Sequence, residues 1–242
     1  MIILLLGFIV SLLPSIALYL WFKGFKSDQL YKDNCKSTFI AGVIAVFPIL
    51  ALSALFALIK VFLLSGVSPF LYAAFHNFIV LALSEELVKY YTGRKTIDRM
   101  IGTVSRLDLI VFMGIVGIAF GIAEAIPYAI GASPLVMIIR GVSVGHGVYG
   151  MMTGYFLGKI MEGGSKSGLP AILVSWLYHG LYDFGLSDEF SALGDWSAII
   201  PVSLAFGELV LLIVFIVFIR RARNNEKYTA PLFPDAGTAQ RP

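Results

Sequence analysis

Seven long runs of apolar residues, each bounded by charged residues or by glycine and proline, fill most of this sequence. A helix needs about 20 apolar residues to cross a hydrocarbon core of roughly 30 Å. Lipid offers no hydrogen-bond partner to the backbone of an open strand, so each run is expected to be helical. The predicted membrane-spanning segments are residues 1–23, 37–64, 70–92, 108–131, 134–162, 168–187 and 197–220. The sequence therefore predicts an all-α fold, a polytopic bundle of about seven transmembrane helices in the cell membrane.

Composition excludes several other classes of protein. Charged residues make up 14% of the chain and hydrophobic residues 58%, whereas a soluble domain carries about a quarter charged residues. The net charge of +3 comes from lysines and arginines spread along the chain, which leaves no basic face for nucleic acid. The single cysteine, Cys35, excludes an internal disulfide and a cysteine-rich metal cluster.

Lysine and arginine cluster after the first, third, fifth and seventh runs, and the other connections hold none. The positive-inside rule then places the amino terminus outside and the carboxyl terminus in the cytosol. We expect residues 1–222 to form one transmembrane domain. Residues 223–242 are polar, contain three prolines and lack the apolar side chains of a core, so we expect a disordered cytosolic tail.

Several ionisable side chains lie inside the apolar runs, where a charge costs about 2.5 to 3.5 kcal/mol on insertion scales. Such residues are candidates for function, and each needs a partner. In chain order they are Glu85, Glu86, Lys89, Glu124, Arg140, His146, His179, Asp183 and Glu208.

Helical spacing pairs some of these residues. Glu85 and Lys89 are four apart, with the glutamate nearer the amino end, which is the favourable order for an ion pair. His179 and Asp183 are also four apart, so the aspartate can fix the imidazole tautomer and leave the other nitrogen for chemistry; equally, this pair can simply hold two helices together. Glu85 and Glu86 cannot both be stably ionised in a low-dielectric site, so we expect Lys89 to stabilise one carboxylate while the other accepts protons.

Structural roles remain open for some of these residues. The Glu85–Glu86 pair can instead lie near the cytosolic end of its helix and snorkel to the interface, with Lys89 as an anchor. Glu124 can pair with Arg140, because a very short turn near residue 132 joins their two segments.

Depth in the bilayer limits which side chains can meet. If segment 70–92 crosses the bilayer, Glu85 and Glu124 are separated by roughly 14 Å along the membrane normal at 1.5 Å per residue. We therefore expect the span to start near His76, which brings Glu85 to midspan. His76 lies on a different face of the helix and is expected to pack or to lie at the interface. Glu208 has no partner on its own helix and is a weak candidate.

Small residues recur in the fourth and fifth segments at Gly117, Gly121, Gly141, Gly145, Gly150, Gly154 and Gly158. Glycines at this spacing let helix backbones approach closely, so we expect these two helices to pack together inside the bundle. Residues 141–145 also match the GxSxG pattern of hydrolases, but that motif requires a strand-turn-helix. A dyad of Ser143 and His179 is therefore a minor alternative.

Four motifs follow one another on successive predicted helices: Glu85-Glu86-x-x-Lys89, Phe120-x-x-x-Glu124, His146-x-x-x-Gly150 and His179-x-x-x-Asp183. In this order and spacing they resemble the PrsW family of intramembrane proteases. The similarity covers roughly residues 80–185, which we take as the catalytic core. The chain departs from the family's usual pattern at Ala125, where asparagine is typical.

The resemblance implies an intramembrane endopeptidase related to the CAAX-protease and bacteriocin-processing superfamily. The site residues it implies are Glu85, Glu86, Glu124, His146 and His179, with Lys89 and Asp183 in orienting roles. The glutamate pair would include the general base, and the two histidines would assist the water or stabilise the oxyanion. The implied substrate is a single-span membrane protein, an anti-sigma factor, whose cleavage leads to a stress response. Two histidines and three glutamates can bind a divalent metal such as zinc or work without one.

Two other functions remain open. A proton-coupled transporter also aligns glutamate and histidine across helices, although transport sites tend to show broken helices in inverted halves. A non-catalytic scaffold or immunity-type protein with the same fold is the second, and Ala125 gives it weight.

Overall fold

A computed structural model describes residues 2–63, 66–128, 141, 144–164 and 168–232. Within these ranges the regular elements are helices, and β-type pairing is limited to an isolated bridge between Ser105 and Pro231. The predicted all-α class is confirmed for the described part of the chain.

Long helices form the amino-terminal half. They are α1 (Ile2–Lys23), α2 (Gln29–Leu63), a continuous helix over Pro69–Ile97, and α5 (Arg106–Tyr128). The continuous helix has three parts: α3 (Pro69–Phe75), a π-helical segment (His76–Leu83) and α4 (Ser84–Ile97). A π-helix closes hydrogen bonds five residues apart and often marks a functional site.

The carboxyl-terminal half adds three longer helices, α6 (Gly145–Glu162), α7 (Leu173–Gly185) and α8 (Ile199–Ala222). Short 3-10 helices cover Leu169–Ile172 and Asp195–Ala198, and single α-turns cover Asp188–Ser191 and Glu226–Thr229.

Helix α6 begins later than the predicted segment 134–162. Val144 has a φ of 50°, in a left-handed region that is rare for a β-branched residue, so the helix starts at Gly145. The expectation of one unbroken helix through 134–162 is therefore wrong at Val144. Arg140 and Ser143 lie outside the described residues, so the alternatives that involve them stay untested.

Four described helices are long and apolar enough to cross a membrane: Gln29–Ile59, Pro69–Ile97, Arg106–Pro127 and Ile199–Ala222. Gly7–Lys23 is a shorter apolar helix, and α6 and α7 have 18 and 13 residues. The chain is thus a multi-pass helical membrane protein, whereas the count of seven spans and the orientation of the termini stay predictions.

Helices α5 and α6 pack closely at the centre of the bundle. A Cβ at Gly117 would lie 1.9 Å from the carbonyl oxygen of His146, and one at Gly150 would lie 2.2 Å from that of Met113. No side chain can occupy such a position, so glycine is required for the two backbones to touch. The predicted close packing of these segments is confirmed.

Side chains cap the amino-terminal end of helix α5. The Ser105 N–H donates to Asp108 Oδ2 at 3.0 Å, and the Asp108 N–H donates to the Ser105 hydroxyl at 3.2 Å. This reciprocal arrangement is a capping box. Lys26, in the connection just after α1, bonds to Asp108 at 2.6 Å, and Arg106 bonds to Glu162 at the end of α6 at 2.9 Å. These contacts fix α1 and α6 against α5 at one end of the bundle.

The predicted tail begins where α8 ends. Its first residues return to the bundle, because the Leu232 N–H donates to the Val104 carbonyl at 2.9 Å and Pro231 pairs with Ser105. Residues 233–242 lie outside the described part of the chain, so disorder there stays a prediction.

Candidate active site

The π-helical segment leads directly into the Glu85–Glu86 pair. The indole N–H of Trp176 on α7 donates to the Phe78 carbonyl at 2.6 Å. Gly180 on α7 faces the Phe78 ring, and a Cβ there would lie 2.5 Å from a ring carbon. Helix α7 therefore packs against the turn that precedes the glutamates.

Glu86 and Lys89 form a buried ion pair. Lys89 Nζ lies 2.5 Å from Glu86 Oε1, with the two side chains 3% and 2% exposed. His179 Nδ1 lies 3.1 Å from the same oxygen. Lys89 therefore stabilises one carboxylate of the pair, as expected. That carboxylate is Glu86, which faces both Lys89 and the imidazole on α7, whereas the four-residue spacing favoured Glu85. Burial of both glutamates and of Lys89 contradicts the snorkelling alternative.

His146 joins the second motif to this ion pair. Its Nε2 lies 2.6 Å from Glu124 Oε2, and its Nδ1 lies 3.1 Å from Lys89 Nζ. The Lys89 ammonium also lies 4.7 Å from the centre of the Phe120 ring, within cation–π range. The second and third motifs thus meet the first through one lysine.

His179 contacts carboxylates on both ring nitrogens. Its Nε2 lies 3.1 Å from Asp183 Oδ2, which confirms that these two residues pair along α7. The same nitrogen lies 3.8 Å from Glu85 Oε2. That oxygen is buried and has no hydrogen bond among the described residues. Because a buried carboxylate oxygen without a hydrogen bond is costly, Glu85 is the group best suited to receive a substrate, a water or a cation.

Side chains from four helices thus come together. The imidazoles of His146 and His179 have ring centres 5.1 Å apart, and Glu85 and Glu124 line one cavity of about 250 Å³. Glu85 and Glu124 are therefore neighbours, as the expected shift of the third segment requires, and the separation of roughly 14 Å along the membrane normal does not occur. The helix itself starts at Pro69 and takes π geometry from His76, and the depth at which it enters the bilayer stays a prediction. His76 stacks on Tyr72 at 5.6 Å, in agreement with a packing role.

Two residues that the sequence did not assign to the site also belong to it. Glu208 on α8 is 1% exposed and accepts a hydrogen bond from the Tyr149 hydroxyl. The Tyr149 ring stacks on His179 with ring centres 4.8 Å apart. Gly145 provides the space, because a Cβ there would lie 3.0 Å from Glu208. In the sequence, Glu208 could have been assigned to the site because it is an acidic residue within a long apolar run.

The family model of the PrsW family intramembrane metalloprotease matches residues 34–225. The chain belongs to the PrsW family. No curated protein and no solved structure matches the chain. As a PrsW-family member it is a peptidase and a multi-pass membrane protein. The four motifs lie inside the matched region.

The PrsW family description implies a metal, and the side chains present fit one. Glu85, His146 and His179 each offer a ligand atom, and these atoms lie within 4.8 Å of one another. Carboxylate oxygen and imidazole nitrogen are ligands that zinc accepts. Glu124 and Asp183 hold the two imidazoles, as carboxylates commonly do for metal-binding histidines. The unbonded oxygen of Glu85 further favours a cation.

Ala125 is the residue at which the sequence analysis expects a departure from the PrsW pattern. Together with Glu124 and His146 it lines a cavity of about 70 Å³. The departure therefore lies beside the site, where alanine offers no polar group.

Proposed function

We propose that this PrsW-family peptidase cleaves a membrane-anchored regulatory protein with a single span, and that its substrate is an anti-sigma factor, as the family resemblance suggests. The observation that supports a hydrolytic role is the environment of the Glu85 carboxylate. Its buried Oε2 lacks a hydrogen bond among the described residues, lies 3.8 Å from His179, and belongs to a side chain that lines a cavity.

Glu85 acts as general base in this proposal. It takes a proton from a water whose oxygen attacks the scissile carbonyl carbon, so that a C–O bond forms and the carbonyl becomes an oxyanion. When the C–N bond breaks, Glu85 returns the proton to the leaving amine. Glu86 is held by Lys89 and His179, so its role is to fix these groups.

The two imidazoles stabilise the oxyanion. Glu124 orients His146 and Asp183 orients His179, so each carboxylate fixes a tautomer and favours a positively polarised ring. A positively polarised ring beside the oxyanion stabilises its charge most where water is excluded, and His179 is 2% exposed.

A divalent metal held by Glu85, His146 and His179 would polarise the scissile carbonyl and acidify a water.

Co-expression with a panel of tagged single-span membrane proteins tests the proposal. We expect the wild type to shorten at least one of them, and Glu86→Ala and His179→Ala to leave it full length. Glu226→Gln, on the exposed turn after α8, is the matched control and should cleave normally. Equal processing by all variants would contradict the proposal. Comparative membrane proteomics with the Glu85→Gln/Glu86→Gln double variant identifies the substrate as the protein that accumulates uncut.

A further inference from the structure

Helix α2 packs less tightly against the bundle in its second half, where Phe56 still contacts the Phe75 ring. Up to Ile49 a buried residue recurs every three or four positions, and at Gly42 the helix touches α5, where a Cβ would lie 2.3 Å from the Val116 carbonyl oxygen. Among residues 50–59 no side chain is buried. Pro48, which cannot donate a helical hydrogen bond, stands at this point. Residues 50–59 of α2 are therefore packed less tightly than the half that contacts α5 at Gly42.

A cleft opens where α2 departs, between α2, the π-helical segment and α5. It measures about 250 Å³, whereas the two cavities beside His146 measure about 70 and 40 Å³. Its apolar wall includes Val46, Ile49, Leu50, Leu81 and Phe120, and its inner end is formed by Glu85 and Glu124. Leu50 is 47% exposed on the outer surface of α2, so the cleft connects the lipid-facing surface with the site.

We propose that this α2 cleft admits the membrane segment of the substrate and binds the apolar side chains next to the scissile bond. The proposal rests on the proposed function. A substrate helix must unwind to present a carbonyl for attack, and its freed N–H groups then need acceptors in a medium without water. The Oε2 of Glu85, which has no hydrogen bond among the described residues, and the hydroxyl of Ser53 in the cleft wall are such acceptors. A lipid acyl chain has no donors for them, so a peptide suits the cleft better.

Tryptophan substitutions in the full-length protein in liposomes test the entrance. Leu50→Trp fills the cleft and should slow cleavage at least about tenfold. Ile44→Trp lies on the same helix, is 52% exposed, does not line the cleft, and should leave the rate unchanged. Both variants should unfold at the wild-type temperature, because both replaced side chains are exposed in the bundle.

Cross-linking gives a second measurement. A photo-reactive amino acid at position 50, combined with Glu85→Gln to prevent cleavage, should capture the full-length substrate, whereas the same group at position 44 should not. Capture of lipid alone at position 50 would overturn the proposal, as would normal cleavage by Leu50→Trp. If the wild type cleaves no single-span protein, the proposed function itself fails, which distinguishes the two outcomes.

Discussion

Replacement of Lys89 by methionine tests the ion pair at the centre of the site. Its ammonium lies 2.5 Å from Glu86 Oε1 with both side chains at most 3% exposed, and 3.1 Å from His146 Nδ1. Lys89→Met keeps the length of the side chain and leaves Glu86 Oε1 with the Nδ1 of His179 as its remaining polar contact. Breaking a buried pair from one side costs about 3 to 5 kcal/mol, and we expect a loss of that size in the free energy of unfolding.

Unfolding in mixed detergent micelles, followed by circular dichroism, measures this loss. The double variant Glu86→Gln/Lys89→Met removes both charges and should recover most of the stability, because a neutral pair of similar volume needs no counter-charge. Lys36→Met is the matched control. Lys36 pairs with Asp33 at 2.7 Å, but both side chains are half exposed, so no measurable change is expected. A loss in Lys89→Met no larger than in Lys36→Met would refute the reasoning, as would a double variant that loses the sum of its two single losses.

Three further predictions concern geometry and metal. Glu208→Gln keeps an acceptor for the Tyr149 hydroxyl and should retain the cleavage rate within about threefold. Tyr149→Phe removes this hydrogen bond, releases the ring stacked on the His179 imidazole and should lower the cleavage rate about tenfold. Equal rates of the two variants would disprove the positioning role of Tyr149. Gly117→Ala places a Cβ 1.9 Å from a carbonyl oxygen of α6 and should abolish cleavage in the liposome assay and lower the unfolding temperature. Gly163→Ala, whose nearest contact is 3.4 Å away, should do neither, and similar behaviour of the two variants would contradict the packing argument. Elemental analysis should find one divalent ion per purified chain in the wild type and none in His179→Ala, and an unchanged content would exclude this ligand set.

Spacing along a single helix predicted part of the site correctly. The His179–Asp183 pair follows from a separation of four residues, and the structure shows it at 3.1 Å. The four-residue spacing favoured Glu85 as the partner of Lys89, whereas the structure pairs Lys89 with Glu86. Helical spacing allows both Glu85 and Glu86 to reach Lys89, and the choice depends on His179, which lies on another helix.

Contacts between helices could not be predicted from the sequence. Glu208 was judged a weak candidate because its partner, Tyr149, lies on another helix, α6. No spacing rule along one helix connects these two residues. The change from α to π geometry at His76 rotates everything that follows relative to an ideal helix. Likewise, nothing in the residue type of Val144 indicates its left-handed backbone, which sets the start of α6 and thereby the position of the His146 ring.

We propose Glu85 as the reacting carboxylate of a site formed by four helices, and the cleavage rate of Glu85→Gln tests this role. In this variant an NH2 group replaces one carboxylate oxygen. The purified wild type and the variant are each reconstituted in liposomes with a single-span substrate. If Glu85 is the general base, the cleavage rate should fall at least about 100-fold while the unfolding temperature stays unchanged. A variant that cleaves at the wild-type rate would contradict this role.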